Sequence, residues 1–333
     1  MAGCLGRDRV LGAPTRRAGG ALRTGCPIRR AADRPARDAR GDGPRRASRR
    51  ARGRARGARL IAAAGPSDGT SPTNRGEAVA RLRAAGCVWA EEEADLLLAE
   101  GRDADGTERM LARREAGEPL EQVLGWAQFL GLRIGVAPGV FVPRRRTELL
   151  ARRAIALCPE AGCAVDLCCG TGAIGAALLA ACPGIRLYAA DLDPAAVAVA
   201  RRNLPGATVL QGDLTDPLPT SLRGRVDVLA ANVPYVPTGE LRLLPPEARA
   251  WEPPGTLDGG ADGLDLLRRV AVAASGWRAP GGSVLSEVAA HQLDAAAAAF
   301  AAAGLQVVAE RDDDLEAIVV QGRRRAEDAL LSR

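Results

Sequence analysis

The sequence predicts an α/β fold: a mostly parallel, seven-stranded sheet with helices on both faces, preceded by a small N-terminal helical domain and a connecting β-hairpin. Three observations predict it. Short apolar runs at 163–168, 186–191, 207–211, 226–231, 282–287, 305–310 and 315–321 read as strands. Helical patterns at 172–181, 194–203, 262–275 and 289–303 fall between most of them. The joints carry helix-start chemistry, as at Asp193-Pro194, where an N-cap residue precedes a proline at the first helical position.

The elements follow in order. Residues 1–75 are Arg, Gly, Ala and Pro without period, too poor in apolar surface to offset ordering entropy, and read as a disordered tail. Three origins stay open for it: a start site placed upstream of the true one, a basic tail that binds RNA or serves otherwise, and an organelle transit peptide. Residues 76–126 read as a helical domain. Val79, Leu82 and Ala85 recur at helical spacing, Leu96–Leu98 follow Glu91–Glu93, and short helices are predicted at 107–114 and 119–124. In 127–142, apolar residues alternate on both sides of Ala137-Pro138-Gly139, which predicts a hairpin. The main domain spans 143–321, and 322–333 is read as a C-terminal tail.

Composition narrows the function. The 333 residues suffice for about two domains. Hydrophobic residues make up 47% and aromatics only 3%, so the core must be Ala, Leu and Val. The net charge of +6 is uneven: residues 1–60 hold 18 Arg against 4 Asp, +14, and the remainder holds 28 Arg against 36 acids, −8. Every one of the 46 basic residues is Arg, which points to coding bias rather than a nucleic-acid surface. Eight Cys show no C-x-x-C spacing and His291 is the single His, so no metal site is expected. No secretory segment and no apolar run of about 18 residues is present, so free thiols, the cytoplasm and no membrane partner are expected.

Chemistry in such sheets sits at the carboxyl ends of strands. The first strand ends Asp166-Leu167-Cys168-Cys169-Gly170-Thr171-Gly172, with Gly175 beyond. Its G-x-G-x-x-G suits a dinucleotide, another nucleoside cofactor or a bare tight turn. Asp191 ends the second strand, 21 residues after Gly170, where an acid can accept from ribose hydroxyls or merely cap a helix. Gln211-Gly212-Asp213-Leu214 follows the third strand and reads either as an adenine site or as a plain turn. The fourth strand ends Asn232-Val233-Pro234-Tyr235. The Asn232 side-chain oxygen and the Val233 carbonyl can each accept one N–H of a substrate NH2, aiming a weakly nucleophilic nitrogen at an electrophile, while Tyr235 offers a flat face. The competing interpretation is a proline turn with a half-buried tyrosine.

These residues resemble the HemK/PrmC family of protein-(glutamine-N5) methyltransferases. The resemblance runs over about 76–321 and includes Glu118–Gly125 with Phe129, Phe141–Glu148, and Glu252-Pro253 with Leu257–Leu264. It implies a Rossmann-like class I methyltransferase sheet with S-adenosyl-L-methionine as cofactor. Asp166, Cys168, Cys169, Gly170, Thr171 and Gly172 would contact the cofactor with Asp191, Asp213 and Leu214. Asn232 would touch both cofactor and substrate amide, and Val233, Pro234 and Tyr235 would complete the catalytic turn. The helical domain would dock a protein substrate, a class I peptide chain release factor. Three positions depart from the family pattern: Cys168 for a glycine, Val233 for a proline, and Arg145-Arg146 for a proline and an acid. The alternative function is methylation of an exocyclic amine on an RNA or DNA base, which can use the same turn on a flipped base. His291 reads as a helix-start residue, Cys168-Cys169 as packing, and Glu287 as either structural or substrate-facing.

Overall fold

The computed structural model describes residues 74–324, and the expectations for 1–73 and 325–333 lie outside the described residues. Four helices come first: α1 (Arg75–Ala84), α2 (Ala90–Glu100), α3 (Ala104–Glu115) and α4 (Leu120–Leu124). Asn74 and Asp103 cap α1 and α3 by accepting from the Glu77 and Gly106 N–H groups. Leu82, Leu97 and Leu111 are fully buried at the centre of this domain. That core is small, and arginine–carboxylate pairs surround it. Arg81 meets Glu108 and Glu115, each at 2.7 Å. Arg114 meets Glu93 at 2.7 Å and Glu247 at 3.3 Å. Glu247 lies on α8 (Pro246–Trp251), so Arg114 ties the helical domain to a distant segment of the chain. The Arg114 and Glu93 side chains are 13% and 10% exposed, so losing either partner would strand a buried charge.

A hairpin follows. β1 (Trp126–Phe129) and β2 (Leu132–Gly135) pair antiparallel, from Trp126↔Gly135 to Phe129↔Leu132. The turn is Leu130-Gly131, at φ 47° and 79°, the two-residue geometry that matches strand twist. This corrects the expected turn at Ala137-Pro138-Gly139, which is a second turn beyond the ladder. Leucine at positive φ carries no turn signature, whereas Pro-Gly is a strong one. Leu130 is held from outside, its N–H donating to Glu148 Oε1 at 3.1 Å. Glu148 begins α5 (Glu148–Leu157), a helix missing from the expected set, whose Leu149, Leu150, Ala151 and Ala154 are buried.

The sheet contains β3 (Cys163–Leu167), β4 (Arg186–Asp191), β5 (Thr208–Gln211), β6 (Val226–Ala231), β7 (Arg278–Val288), β8 (Leu305–Asp312) and β9 (Ala317–Arg324). Their spatial order is β5-β4-β3-β6-β7-β9-β8. The first five are parallel, and β9 runs antiparallel to both β7 and β8. β9 begins after residue 315 and continues to Arg324, so residues 322–324 belong to the sheet, not to a tail. α5, α6 (Ala173–Ala181) and α7 (Pro194–Asn203) cover one face. α9 (Asp265–Trp277) and α10 (Leu293–Ala302) cover the other. All five residues of β3 are buried, which is why it reads as an unbroken apolar run with one acid.

The order of strands places the site. The chain steps outward from β3 to β4 and β5, then returns to lay β6 on the other side of β3. Loops leaving β3 and β6 therefore diverge, and a crevice opens between them.

Phe300 of α10 is fully buried beneath Gly322 of β9, where an added Cβ would stand 2.9 Å from the Phe300 ring. Phe300→Ala is expected to cost roughly 3–5 kcal/mol in denaturant unfolding, because β9 cannot collapse into the cavity left behind.

Candidate active site

A cleft of about 930 Å3 opens at this crevice and continues to the helical domain. It gathers Cys168, Cys169, Gly170, Thr171, Asp191, Asp213, Leu214, Asn232, Val233, Pro234 and Tyr235. The loop after β3 turns sharply, with Cys168 and Gly170 both at φ 53°. Gly170 N–H donates to Asp191 Oδ2 at 2.8 Å, and Asp193 N–H donates to Oδ1 at 3.0 Å. The acid 21 residues along is thus clamped to the glycine loop while still facing the cleft. Burial raises its pKa, and these two N–H groups oppose the rise. Leu214 is nearly buried at φ 46° and forms an apolar wall. Asp213 is drawn outward by Arg269 of α9, at 2.6 Å.

Asp166 and Gly172, expected at the cofactor, do not line this cleft. Asp166 is fully buried behind the loop, and its Oδ2 accepts from Gly175 N–H at 2.9 Å. It ties the first turn of α6 to β3. Its Oδ1 has no partner, and burial pushes its pKa up to about 8. Gly172 caps α6 at φ 79°, and an added Cβ would lie 2.9 Å from Leu204 Cδ1. Packing and conformation both call for glycine there. Cys168 occupies a left-handed position where the family pattern has glycine, which costs about 1–2 kcal/mol.

The second half of the site is the turn after β6. The register Leu167↔Ala231 sets it directly beside the glycine loop. Asn232 Nδ2 donates to Thr147 Oγ1 at 3.2 Å, and Asn232 Oδ1 is buried without a partner. No described residue donates a hydrogen bond to the Val233 carbonyl. Tyr235 OH donates to Glu287 Oε1 at 2.9 Å and accepts from Arg146 Nη1 at 3.4 Å. Burial and the Glu287 charge raise the Tyr235 pKa, so the phenol stays protonated. Below the turn, Gln292 Nε2 donates to the Tyr235 carbonyl at 2.8 Å and to the Asp262 carbonyl at 3.0 Å. Gly259 and Gly263 pack so closely that an added Cβ would stand 2.7 Å from the Pro234 carbonyl and 2.2 Å from the Tyr235 carbonyl. The glycine-rich block at 257–264 is therefore the floor of the turn.

Glu252 anchors the far wall. It is 4% exposed and accepts from Arg144 Nη2 at 2.6 Å. Burial raises its pKa, and Arg144 opposes that. Thr147, Arg146 and Gln292 lie away from the strand ends and carry no signal of a role in the sequence by themselves. Thr147 and Arg146 lie inside the quoted 141–148 segment, and that segment was the available signal. Among the described residues no cluster could hold a metal ion, and no helix is long and apolar enough to cross a membrane. Beside the glycine loop the arrangement leaves two oxygens, Asn232 Oδ1 and the Val233 carbonyl, without a hydrogen-bond donor among the described residues. Its chemistry is to orient N–H groups.

Two outcomes follow. Gly263→Ala is expected to lower the thermal midpoint markedly, by the equivalent of about 2 kcal/mol or more, since φ 77° and two close contacts all oppose a side chain. Asp166 keeps its proton in the fold but loses it when unfolded near the usual carboxylate pKa, about 4. Its burial therefore removes stability progressively as pH rises from about 4 to about 8. In thermal melts across that range, the loss with rising pH should be smaller for Asp166→Asn than for the parent.

The comparisons with known proteins accord with this geometry. A methyltransferase domain model matches residues 164–255. The chain is 37% identical over 199 residues to a release factor glutamine methyltransferase of Geobacter sulfurreducens, covering 59% of this chain and 69% of that protein. It is 37% identical over 257 residues to a release factor glutamine methyltransferase of Cereibacter sphaeroides, covering 71% and 91%. It is also 40% identical over 201 residues to a 4-amino-L-phenylalanine/4-methylamino-L-phenylalanine methyltransferase of Streptomyces pristinaespiralis, covering 58% and 68%. With such identity over most of the length of these relatives, the chain belongs to the release factor glutamine methyltransferase family.

Proposed function

We propose that this protein transfers a methyl group from S-adenosylmethionine to the side-chain amide N5 of a glutamine in a peptide chain release factor. The observation that carries this reading is the pair of acceptors at the turn after β6: Asn232 Oδ1, buried and unpartnered, and the Val233 carbonyl.

The cofactor supplies an electrophilic methyl on a sulfonium. The backbone of Cys168–Thr171, the Asp191 carboxylate and the Leu214 wall would hold it. Asn232 Oδ1 and the Val233 carbonyl each accept one N–H of the glutamine amide. This fixes the nitrogen towards the methyl and stabilises positive charge as it develops there. Pro234 limits the freedom of the turn, and Tyr235 packs on the planar amide. The displaced proton passes to water, since neither acceptor is basic enough to keep it. Val233 in place of proline leaves its carbonyl where it is, because the turn is held from below by Gln292, Gly259 and Gly263.

The walls favour a protein over a nucleic acid. On the helical-domain side the cleft presents Val88 and Trp89, 83% and 67% exposed, an apolar surface suited to a folded partner. Glu92 and Glu121 put negative charge on the same wall, which would repel a phosphate backbone, while Glu93 and Glu247 are paired with Arg114. Methylation of an exocyclic base amine is accordingly not favoured.

The test is methyl transfer from labelled S-adenosylmethionine to purified release factors bearing a Gly-Gly-Gln loop. Label should appear on the loop glutamine, and Asn232→Ala should lower kcat/KM about 100- to 1000-fold. Label on RNA, or none on release factors despite cofactor binding, would overturn the assignment of substrate.

A further inference from the structure

Between the turn after β6 and the glycine-rich block that floors it, the chain leaves the sheet over residues 239–251. Both ends of this segment are fixed. At the near end, Thr238 N–H donates to the Gly260 carbonyl at 2.9 Å and Thr238 Oγ1 donates to Asp258 Oδ1 at 2.7 Å. At the far end, the buried Glu252 accepts from Arg144 at 2.6 Å. Between them lie a 3-10 turn (Thr238–Leu243) and α8, and neither buries a residue. Without buried side chains, the segment has little apolar packing to hold it in place. Its polar links are few as well. Among the described residues, the hydrogen-bond partners of 239–251 lie within 237–252 with one exception: Glu247 Oε1 accepts from Arg114 Nη1 at 3.3 Å. That ion pair joins the middle of the segment to the helical domain.

The pair can open without stranding either charge. Arg114 is only 13% exposed, and a buried cation stripped of its partner is costly. When Glu247 leaves, however, Arg114 keeps both Glu93 oxygens, at 2.7 and 3.3 Å, and the Glu118 carbonyl at 3.1 Å. Glu247 is 44% exposed, so water replaces the guanidinium. Glu252 has no such freedom, because it is buried against Arg144. The middle of the segment is therefore weakly held and its ends are strongly held.

Its place gives the opening a consequence. Leu244, Pro245 and Ala248 line the cleft, as do Val88, Trp89 and Leu120 of the helical domain. Two apolar walls of an open cleft gain burial from a chain laid between them. We infer that residues 239–251 form a movable strap on the substrate side of the cleft, latched to the helical domain by the Arg114–Glu247 pair. Unlatched, the strap swings on Thr238 and Glu252 and admits a loop of the partner protein. Latched, it holds one wall of the cleft against that loop. Closure on a release-factor loop rests on the proposed glutamine reaction; the latch itself does not.

The experiment follows hydrogen–deuterium exchange by mass spectrometry in the full chain with S-adenosylhomocysteine bound. It compares the parent with Glu247→Gln and Glu247→Arg. Glu247→Gln removes the charge and keeps the shape, and should speed exchange in 239–251 about two- to fivefold, the range that a partly exposed ion pair supports. Glu247→Arg sets a second cation against Arg114 and should speed it further. Exchange in β6 and α9 and the affinity for S-adenosylhomocysteine should not change. Release factor should slow exchange in 239–251 of the parent, and both variants should raise its KM while keeping kcat. Parent-like exchange in both variants would overturn the latch. Faster exchange spread equally over β6 and α9 would overturn it too, because that marks general loosening. A release factor that is methylated yet leaves exchange in 239–251 unchanged would overturn closure on the substrate. If the parent methylates no release factor, the substrate assignment falls, and exchange in the two variants still decides the latch.

Discussion

The pairing of β3 with β6 is the constraint on which the site depends. Leu167 and Ala231 stand opposite each other in that ladder, and each is the last strand residue before a functional loop. A slip of one residue would reverse every side chain on the strand. Val165 and Leu167 would leave the α9–α10 face, Ala164 would leave the α5–α7 face, and the two loops would part. The hydrophobic pattern that builds the core is thus also what sets the cofactor loop beside the amide-binding turn. Neither loop carries the geometry alone.

The turn is supported by groups from three other segments of the chain. Gln292 comes from the segment before α10, Gly259 and Gly263 from the block before α9, and Thr147 from the entry to α5. Elements on both faces of the sheet therefore converge on one four-residue turn. That convergence explains how the turn accommodates Val233. Proline limits a backbone through its own ring; here the restraint comes from neighbours.

Much of this was legible in the sequence. Alternating strand and helix patterns locate the sheet, and the strand ends locate the cleft lining from Cys168 to Tyr235. What was not legible has physical causes. The hairpin turn at Leu130-Gly131 lacks a turn residue at its first position because Glu148, far along the chain, holds it. Helix α5 is not legible as a separate period because its first residues belong to the motif segment at 141–148. Asp166 and Gly172 fall within the glycine-loop pattern, yet they serve the packing of α6. Pattern gives the loop and not which side of it a residue faces. Thr147 and Gln292 are polar residues whose partners lie 85 and 57 positions away, and no local rule connects them.

The cations of this protein are all arginine, and so is every cation in its ion pairs. A guanidinium does not deprotonate under conditions a folded protein survives, whereas a lysine ammonium begins to do so near pH 10. The links from Arg114 to Glu93 and Glu247, and from Arg144 to Glu252, keep their charge in strong alkali. Whatever limits the fold at high pH is then the ionisation of a buried acid, phenol or thiol, never the neutralisation of a cation. The same composition leaves amine-directed acylating reagents no side-chain amine to modify.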